Sequence, residues 1–361
     1  MKRLLLMMAL CPLLGSCAGE KTIPVAESPA RVVGRTETLT DGSISFDWSG
    51  VYLDIRFEGS YLALELSDTK RNFFNLWVDG REQPKFTSEG DHNLVVLFND
   101  PTAEGEHLVR IQKATEAEQG CCTLHSFVTD GRLLQTAELK RPRHIEFYGD
   151  SLTCGYGTES LKGSDPFLPE TENCRYTFAA LTADHFGADY NLISHSGRGL
   201  VRNYGDSLSI SDPTLTMSAR AFRLYDEEPT SAWDFEQSPY RPDALVITLG
   251  TNDFSTQPHP TGEAFVEGYR SLIEKLRTAW GEELPVLCVT HSPIAAKLVG
   301  EMVQTIPHTA MADVSWGVYN KTTDLGASEH PNRYGHEKMA RIVIEEFQKL
   351  TGWEQAPQPQ E

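Results

Sequence analysis

The chain is short of basic residues. Lys and Arg number 32 against 51 Asp and Glu among 361 residues, for a formal net charge of −19. A surface that acidic repels phosphate backbones and anionic lipid, which excludes nucleic acid as a partner. Long apolar runs are lacking after the first residues, so no later segment reaches the length of a membrane-spanning helix. Metal-ligand spacing is lacking too. Two of the seven cysteines lie within the first 17 residues, and Cys121, Cys122, Cys154, Cys174 and Cys288 form an odd set in no chelating pattern. Cys154 and Cys174 flank the segment after Ser151, and an exported chain could bridge them. No internal repeat is apparent, and a 40% hydrophobic fraction beside 23% charged residues excludes wholesale disorder. The length suggests two domains.

What is present begins with "MKRLLLMMALCPLLGSCAGE". Lys2 and Arg3 precede an apolar run too short to span a bilayer, which is the layout of an export signal. Its end, "LGSC", resembles a bacterial lipobox and implies cleavage after residue 16 with lipid attached to Cys17. A plain signal peptide that contains a cysteine is the alternative. Acyl anchoring would hold an otherwise soluble chain at a membrane, with the periplasm, the outer membrane and the cell surface all open.

From about Ala30 to Leu134 the hydrophobic pattern has period two. "VYLDIRF", "YLALELS", "FNLWVDG", "LVVLF", "HLVRIQ" and "CTLHSFVTDG" read as short strands separated by polar turns, which predicts a β-sandwich. After "LKRPRHIEF" the grammar changes. The buried strands "HIEFY", "YNLIS", "DALVITL" and "LPVLCVT" alternate with amphipathic helices, among them one aligning Phe265, Tyr269, Leu272, Ile273, Leu276 and Trp280. That alternation predicts an α/β domain, a parallel sheet flanked by helices. The expected layout is a leader over 1–16, a linker over 17–30, the sandwich over 31–140, the α/β domain over 141–352 and an unstructured tail over 353–361.

In an open parallel sheet, sites form beyond the carboxyl ends of the strands. Four features fall there: "GDSL" with Ser151, "SHSGRG" with Gly197, "GTND" with Asn252, and "SEHPNRYGH" with His330. Singly, each has a plain reading as helix cap, turn glycine, loop amide or helix-entry residue. Together they fit acyl transfer. A serine hydroxyl needs a base, which a neutral imidazole supplies near pH 7. The tetrahedral intermediate needs donors aimed at its oxyanion, each worth about 3–4 kcal/mol. The backbone N–H groups of Ser151 and Gly197 and the side-chain NH₂ of Asn252 can provide three.

In these residues the chain resembles the SGNH (GDSL) hydrolase superfamily, with Ser151, Gly197, Asn252 and His330 in the four eponymous places. Within it, "IEFYGDSLTCGYG", "ISHSGRGLVRNYG", "LGTND" and "HPNRYGHEKMA" resemble carbohydrate esterase family 2. The resemblance implies a jelly-roll sandwich before the hydrolase domain. It also implies O-deacetylation of plant cell-wall polysaccharides, typically acetylated xylan and glucomannan, with no metal or organic cofactor. Two alternatives stay open: a lipase, thioesterase or arylesterase on the same scaffold, and a surface carbohydrate-binding protein with vestigial catalysis. One departure stands out. Such hydrolases usually place an acid two or three residues before the catalytic histidine, where this chain has Ser328 and Ala327. A Ser151–His330 dyad oriented by a backbone carbonyl is the expectation, with Asp324 and Glu329 as candidate accessory acids. Arg198, Trp316 and Tyr156 are candidate substrate contacts, beside Trp233 and Tyr204 as further aromatic faces.

Overall fold

The computed structural model describes residues 19–315 and 317–357. Cys17, the expected lipidation site, and Trp316, an expected sugar contact, lie outside the described residues. Short strands β1 (Lys21–Pro24), β2 (Arg31–Val33), β3 (Glu37–Thr38) and β4 (Ile44–Phe46) come first. β5 (Tyr52–Glu58), β6 (Tyr61–Val78) and β7 (Arg81–Asn99) follow, then β8 (Glu106–Lys113), β9 (Cys122–Thr129) and β10 (Arg132–Leu134). All ten pair antiparallel in one continuous sheet.

The sheet curls because β6 bends. Its residues 62–68 pair with β9 and residues 74–78 pair with β8, with register shifts between them. Extra residues at such bulges sharpen twist and let one strand serve two layers. Leu62, Leu64 and Leu66 from one half and Phe74 and Leu76 from the other enclose a core with Leu53, Ile55, Phe57, Val109 and Phe127. This is the expected jelly-roll sandwich, with one correction. "YLALELS" and "FNLWVDG" are one strand, because the polar stretch between them stays paired with β7 rather than turning. The expected linker is corrected as well: its residues 21–24 are β1, paired with β9 from Lys21↔Thr129 onward.

The second domain is built on β11 (Arg143–Gly149), β12 (Ala188–Ser194), β13 (Ala244–Thr248), β14 (Val286–Thr290) and β15 (Thr309–Asp313). All are parallel, in the order β12-β11-β13-β14-β15. The chain starts on β11, goes to one side for β12, then crosses to the other side for β13. The crevice beyond the ends of these three strands is therefore a topological switch point. Among the described residues seven α-helices complete the domain: α1 (Ser151–Cys154), α2 (Phe178–His185), α3 (Met217–Arg220), α4 (Thr251–Ser255), α5 (Gly262–Trp280), α6 (Pro293–Val303) and α7 (Arg333–Thr351). Helices α2 and α7 pack on one face through Ala179, Ala183, Met339 and Val343. Helices α5 and α6 cover the other, and the six aligned residues of α5 are all buried.

Buried polar groups join the two domains. The fully buried guanidinium of Arg35 donates to the carbonyls of Ala221 and Arg223 at 2.8 Å each and to Glu146 at 3.1 Å. Trp48 donates its indole N–H to Leu224 O, and Tyr52 its hydroxyl to Asp189. Asn75 and Asn173 exchange two amide hydrogen bonds of 2.9 Å. The expected bridge between Cys154 and Cys174 is absent: both thiols are free. Each faces a different partner, Cys154 the carboxylate of Glu116 and Cys174 the carbonyl of Lys113. Two residues of the expected tail, Trp353 and Ala356, are also packed. Trp353 lies edge-on to Phe347 and Phe186, and Ala356 donates to His185 O. Among the described residues no helix is long and apolar enough to cross a membrane.

Candidate active site

Strand β11 ends in Gly149, whose pro-Cβ position would lie 2.1 Å from Thr153 Oγ1, so only glycine allows the tight turn into α1. Asp150 caps that helix, its Oδ1 accepting the Leu152 N–H at 3.1 Å. Ser151 is the first helical residue, where a backbone N–H is free of intrahelical bonding. The capping role therefore belongs to Asp150, and the serine hydroxyl is left to point elsewhere. It points at His330: Nε2 lies 2.9 Å from Ser151 Oγ.

The histidine is aimed by its own loop. Nδ1 lies 3.2 Å from the carbonyl oxygen of Ser328. An acceptor there keeps the proton on Nδ1 and leaves the Nε2 lone pair facing the hydroxyl. Ser328 and Glu329 both adopt left-handed backbone (φ 51° and 61°), a sharp turn that carries the carbonyl under the ring. The turn is held from outside by Ser328 N donating to Asp165 O and Glu329 N to Gly163 O. Tyr156 adds a wall, its ring 4.4 Å from His330 and stacked at 4.0 Å on Phe167. Burial pushes the His330 imidazole below its usual pKa of 6.5, favouring the neutral base.

Neither candidate accessory acid reaches this ring. Asp324 is turned to Asn320 N, Thr323 Oγ1 and Lys338 Nζ. The side chain of Glu329 is exposed and makes no hydrogen bond among the described residues. The dyad geometry is therefore Ser151, His330 and a main-chain oxygen.

The donor side comes from the ends of β12 and β13. Gly197 sits at φ 75°, with space around its absent Cβ, and its carbonyl accepts the Tyr204 N–H at 2.8 Å. Asn252, in α4, bridges the loops, its NH₂ donating to Arg198 O at 2.9 Å and to Asp150 Oδ2 at 3.2 Å. Asp253 beside it accepts the N–H groups of Leu200, Val201 and Arg202 at 2.8–2.9 Å and so fixes the segment after Gly197. Burial, with Asp253 nearby, pushes the Asp150 carboxyl up to about 7. A serine hydroxyl and a neutral imidazole at 2.9 Å can together transfer a proton and free the serine oxygen to attack.

Among the candidate substrate contacts, Arg198 is half-buried and its Nε has no partner among the described residues. Tyr204 is 64% exposed next to Gly197. Trp233 packs away from the site against Tyr240 and Arg35. Two neighbourhoods escaped sequence reasoning. His195 Nδ1 lies 2.5 Å from Asp226, which Arg220 also holds. Burial opposes charge on His195, and the Asp226 carboxylate outweighs it, raising the imidazole above its usual value. Glu116, from the sandwich, accepts the Ser196 N–H at 2.7 Å beside Gly197. Only the position of His195 inside "SHSGRG" gave any hint of the first.

Residues 32–136 match the family described as carbohydrate esterase 2 N-terminal, and residues 147–338 match the GDSL-like lipase/acylhydrolase family. The chain is 32% identical over 317 residues to a cellulase/esterase CelE of Acetivibrio thermocellus, covering 85% of this chain and 38% of that protein. It thus spans well under half the length of that relative. Over 323 residues it is 29% identical to an acetylxylan esterase / glucomannan deacetylase of Cellvibrio japonicus, covering 86% of this chain and 87% of the relative. Among solved structures, a family two carbohydrate esterase from Clostridium thermocellum, in complex with cellohexaose, superposes with a TM-score of 0.82. It shares 28% identity and covers 90% of this chain and 99% of its own.

Proposed function

Because the chain belongs to the GDSL-like lipase/acylhydrolase family, in the branch marked by the carbohydrate esterase 2 N-terminal domain, we propose that it is a serine O-acetylesterase. Its substrates in this reading are acetylated plant cell-wall polysaccharides, xylan and glucomannan, as in the names of the Cellvibrio relatives. The reading rests on one observation, the 2.9 Å approach of His330 Nε2 to Ser151 Oγ with Nδ1 on a carbonyl.

Ser151 attacks the acetyl carbonyl while His330 takes its proton. The oxyanion that forms is held by the N–H groups of Ser151 and Gly197 and by Asn252, whose long bond to Asp150 is the one to yield. His330 then protonates the departing sugar oxygen, and the C–O bond to the polysaccharide breaks. Water, deprotonated by the same imidazole, attacks the acetyl-enzyme and releases acetate. Tyr156, Tyr204, Arg198 and Trp316 are proposed to meet the sugar. No step requires a metal or an organic cofactor.

Acetate release from acetylated xylan and glucomannan tests the reading. We expect turnover by the natural chain and none above background for Ser151→Ala. Turnover of long-chain esters alone, or binding of glycan without turnover, would overturn it. We further propose that Cys17 carries lipid and holds the enzyme at a bacterial membrane. Incorporation of labelled palmitate that persists in Cys17→Ala would remove that proposal.

A further inference from the structure

Between the two domains lies a group of buried ionisable side chains that the acyl-transfer steps do not use. Glu116, in the turn after β8, is 1% exposed, and Glu172 and Cys154 are fully buried. One carboxylate oxygen of Glu116, Oε2, receives the Ser196 N–H at 2.7 Å and faces the Cys154 thiol at 3.3 Å. Glu172 accepts the backbone N–H of Glu116 at 3.2 Å. Burial and the adjacent Glu116 push the Glu172 carboxyl well above the ordinary carboxylate range. Lys113, fully buried, donates to the carbonyls of Thr115 and Glu116. The Glu116 side chain thus accepts from two neighbours, and one of them is the amide next to Gly197.

Besides this bond and the Tyr204 N–H on the Gly197 carbonyl, the dipeptide Ser196–Gly197 makes no hydrogen bond among the described residues. Ser196 Oγ is buried without a hydrogen-bond partner among the described residues. Gly197 carries no side chain to pack, and its φ of 75° lies where glycine alone is unstrained. An acceptor at 2.7 Å makes a short hydrogen bond and fixes the plane of the peptide it binds. The next peptide plane carries the Gly197 N–H.

We propose that Glu116 is a positioning residue for the oxyanion donors: the sandwich domain, through this carboxylate, sets the direction of the Gly197 N–H in the other domain. The proposal rests on the reading of Gly197 and Asn252 as oxyanion donors. It gives the sandwich a part in the chemical step, separate from any part in binding glycan.

The test uses the full chain with a soluble acetyl ester. In Glu116→Ala we expect kcat to fall roughly ten- to a hundredfold, short of the loss for deleting a donor outright. KM changes little, because Glu116 does not touch the substrate. Glu116→Leu, of similar volume and without an acceptor, carries the same test should the alanine variant fail to fold, while Glu116→Gln keeps an oxygen for the Ser196 N–H and retains most of kcat. The decisive readout is ethylboronic acid, which forms a tetrahedral adduct on Ser151. Its affinity falls in parallel with kcat, while the affinity for a deacetylated xylo-oligosaccharide stays put. Unchanged kcat and boronate affinity in a folded Glu116→Ala or Glu116→Leu would overturn the proposal. Equal loss of boronate and oligosaccharide affinity would also overturn it, as the mark of a general structural role. Asn252→Ala separates the two layers of argument. If it keeps full kcat, the oxyanion reading itself falls; if it loses kcat while Glu116→Ala and Glu116→Leu do not, only the positioning claim falls.

Discussion

The hydroxyl of Ser151 depends on how a single imidazole is turned, and that imidazole is turned by an amide carbonyl. A carbonyl fixes the tautomer as a carboxylate would, but offers less to the imidazolium that forms. Alanine at Asp324 or at Glu329 should therefore leave kcat nearly unchanged. A loss on the order of several hundredfold in either would overturn the dyad, removal of a true orienting acid costing up to about 10⁴. The same residue sets the pH profile. Burial lowers the pKa of His330 from 6.5, and the base works only when neutral. Activity should thus be lost as pH falls through a midpoint below 6.5, visible as the acid limb of kcat/KM. At Asn252 the expectation is steeper. Removing its amide should reduce kcat by about 10²–10³ with the fold intact, checked by single-turnover kinetics.

On the scale of elements, the site hangs on glycines where strands turn into helices. Gly250, at φ 114°, caps α4 and stands where a Cβ would meet the Ala295 Cβ at 2.8 Å and the Phe265 ring at 2.9 Å. Gly250→Ala combines positive-φ strain with overpacking and should destabilise by about 2–4 kcal/mol in denaturant melts. These turns also explain what could be read from the chain alone. Ser151, Gly197, Asn252 and His330 were legible because each ends a run of buried strand residues or opens a helix, and both features are local. Strands β6 and β7 were misjudged because residues 68–72 look like a turn; they stay extended only through pairing with β7, a tertiary effect. Glu116 was invisible for the same reason. Its partner amide lies 80 residues away, and nothing beside it in the sequence marks it. Trp353 and Ala356 read as tail because the surfaces they cover, on α2 and α7, are assembled only on folding.

For the whole molecule the buried charges dominate. Arg35 and Glu146 are both fully buried and paired across the domains. Leaving either unpartnered is costly, so Arg35→Ala should lower stability by about 3–5 kcal/mol, measured by chemical unfolding. Acid response follows from two opposed sets. Burial raises Asp47 and Asp150 to about 7 and Asp68 to about 6. In the folded state these hold protons that the unfolded chain releases above about 4, so they add stability as pH falls from 7 towards 4. Burial lowers His144 and His336 to about 3 and His291 to about 4. The unfolded chain binds those protons below about 6.5 and the native state refuses them, so they remove stability over the same interval. The sets offset one another between pH 5 and 6.5. Below about 4 only the histidine term still acts, together with the loss of ordinary carboxylate pairs. Melting temperature should therefore run nearly level through the mildly acid range and then drop sharply.

The Arg35 side chain leaves the front of the chain and ends among carbonyls 186 and 188 residues further on. Anyone wishing to transplant this catalyst into a fusion or a synthetic assembly inherits a constraint from that span. Cutting between strands at residue 140 would strip Glu146 of its counter-ion and expose the carbonyls of Ala221 and Arg223. The smallest portable unit is both halves together.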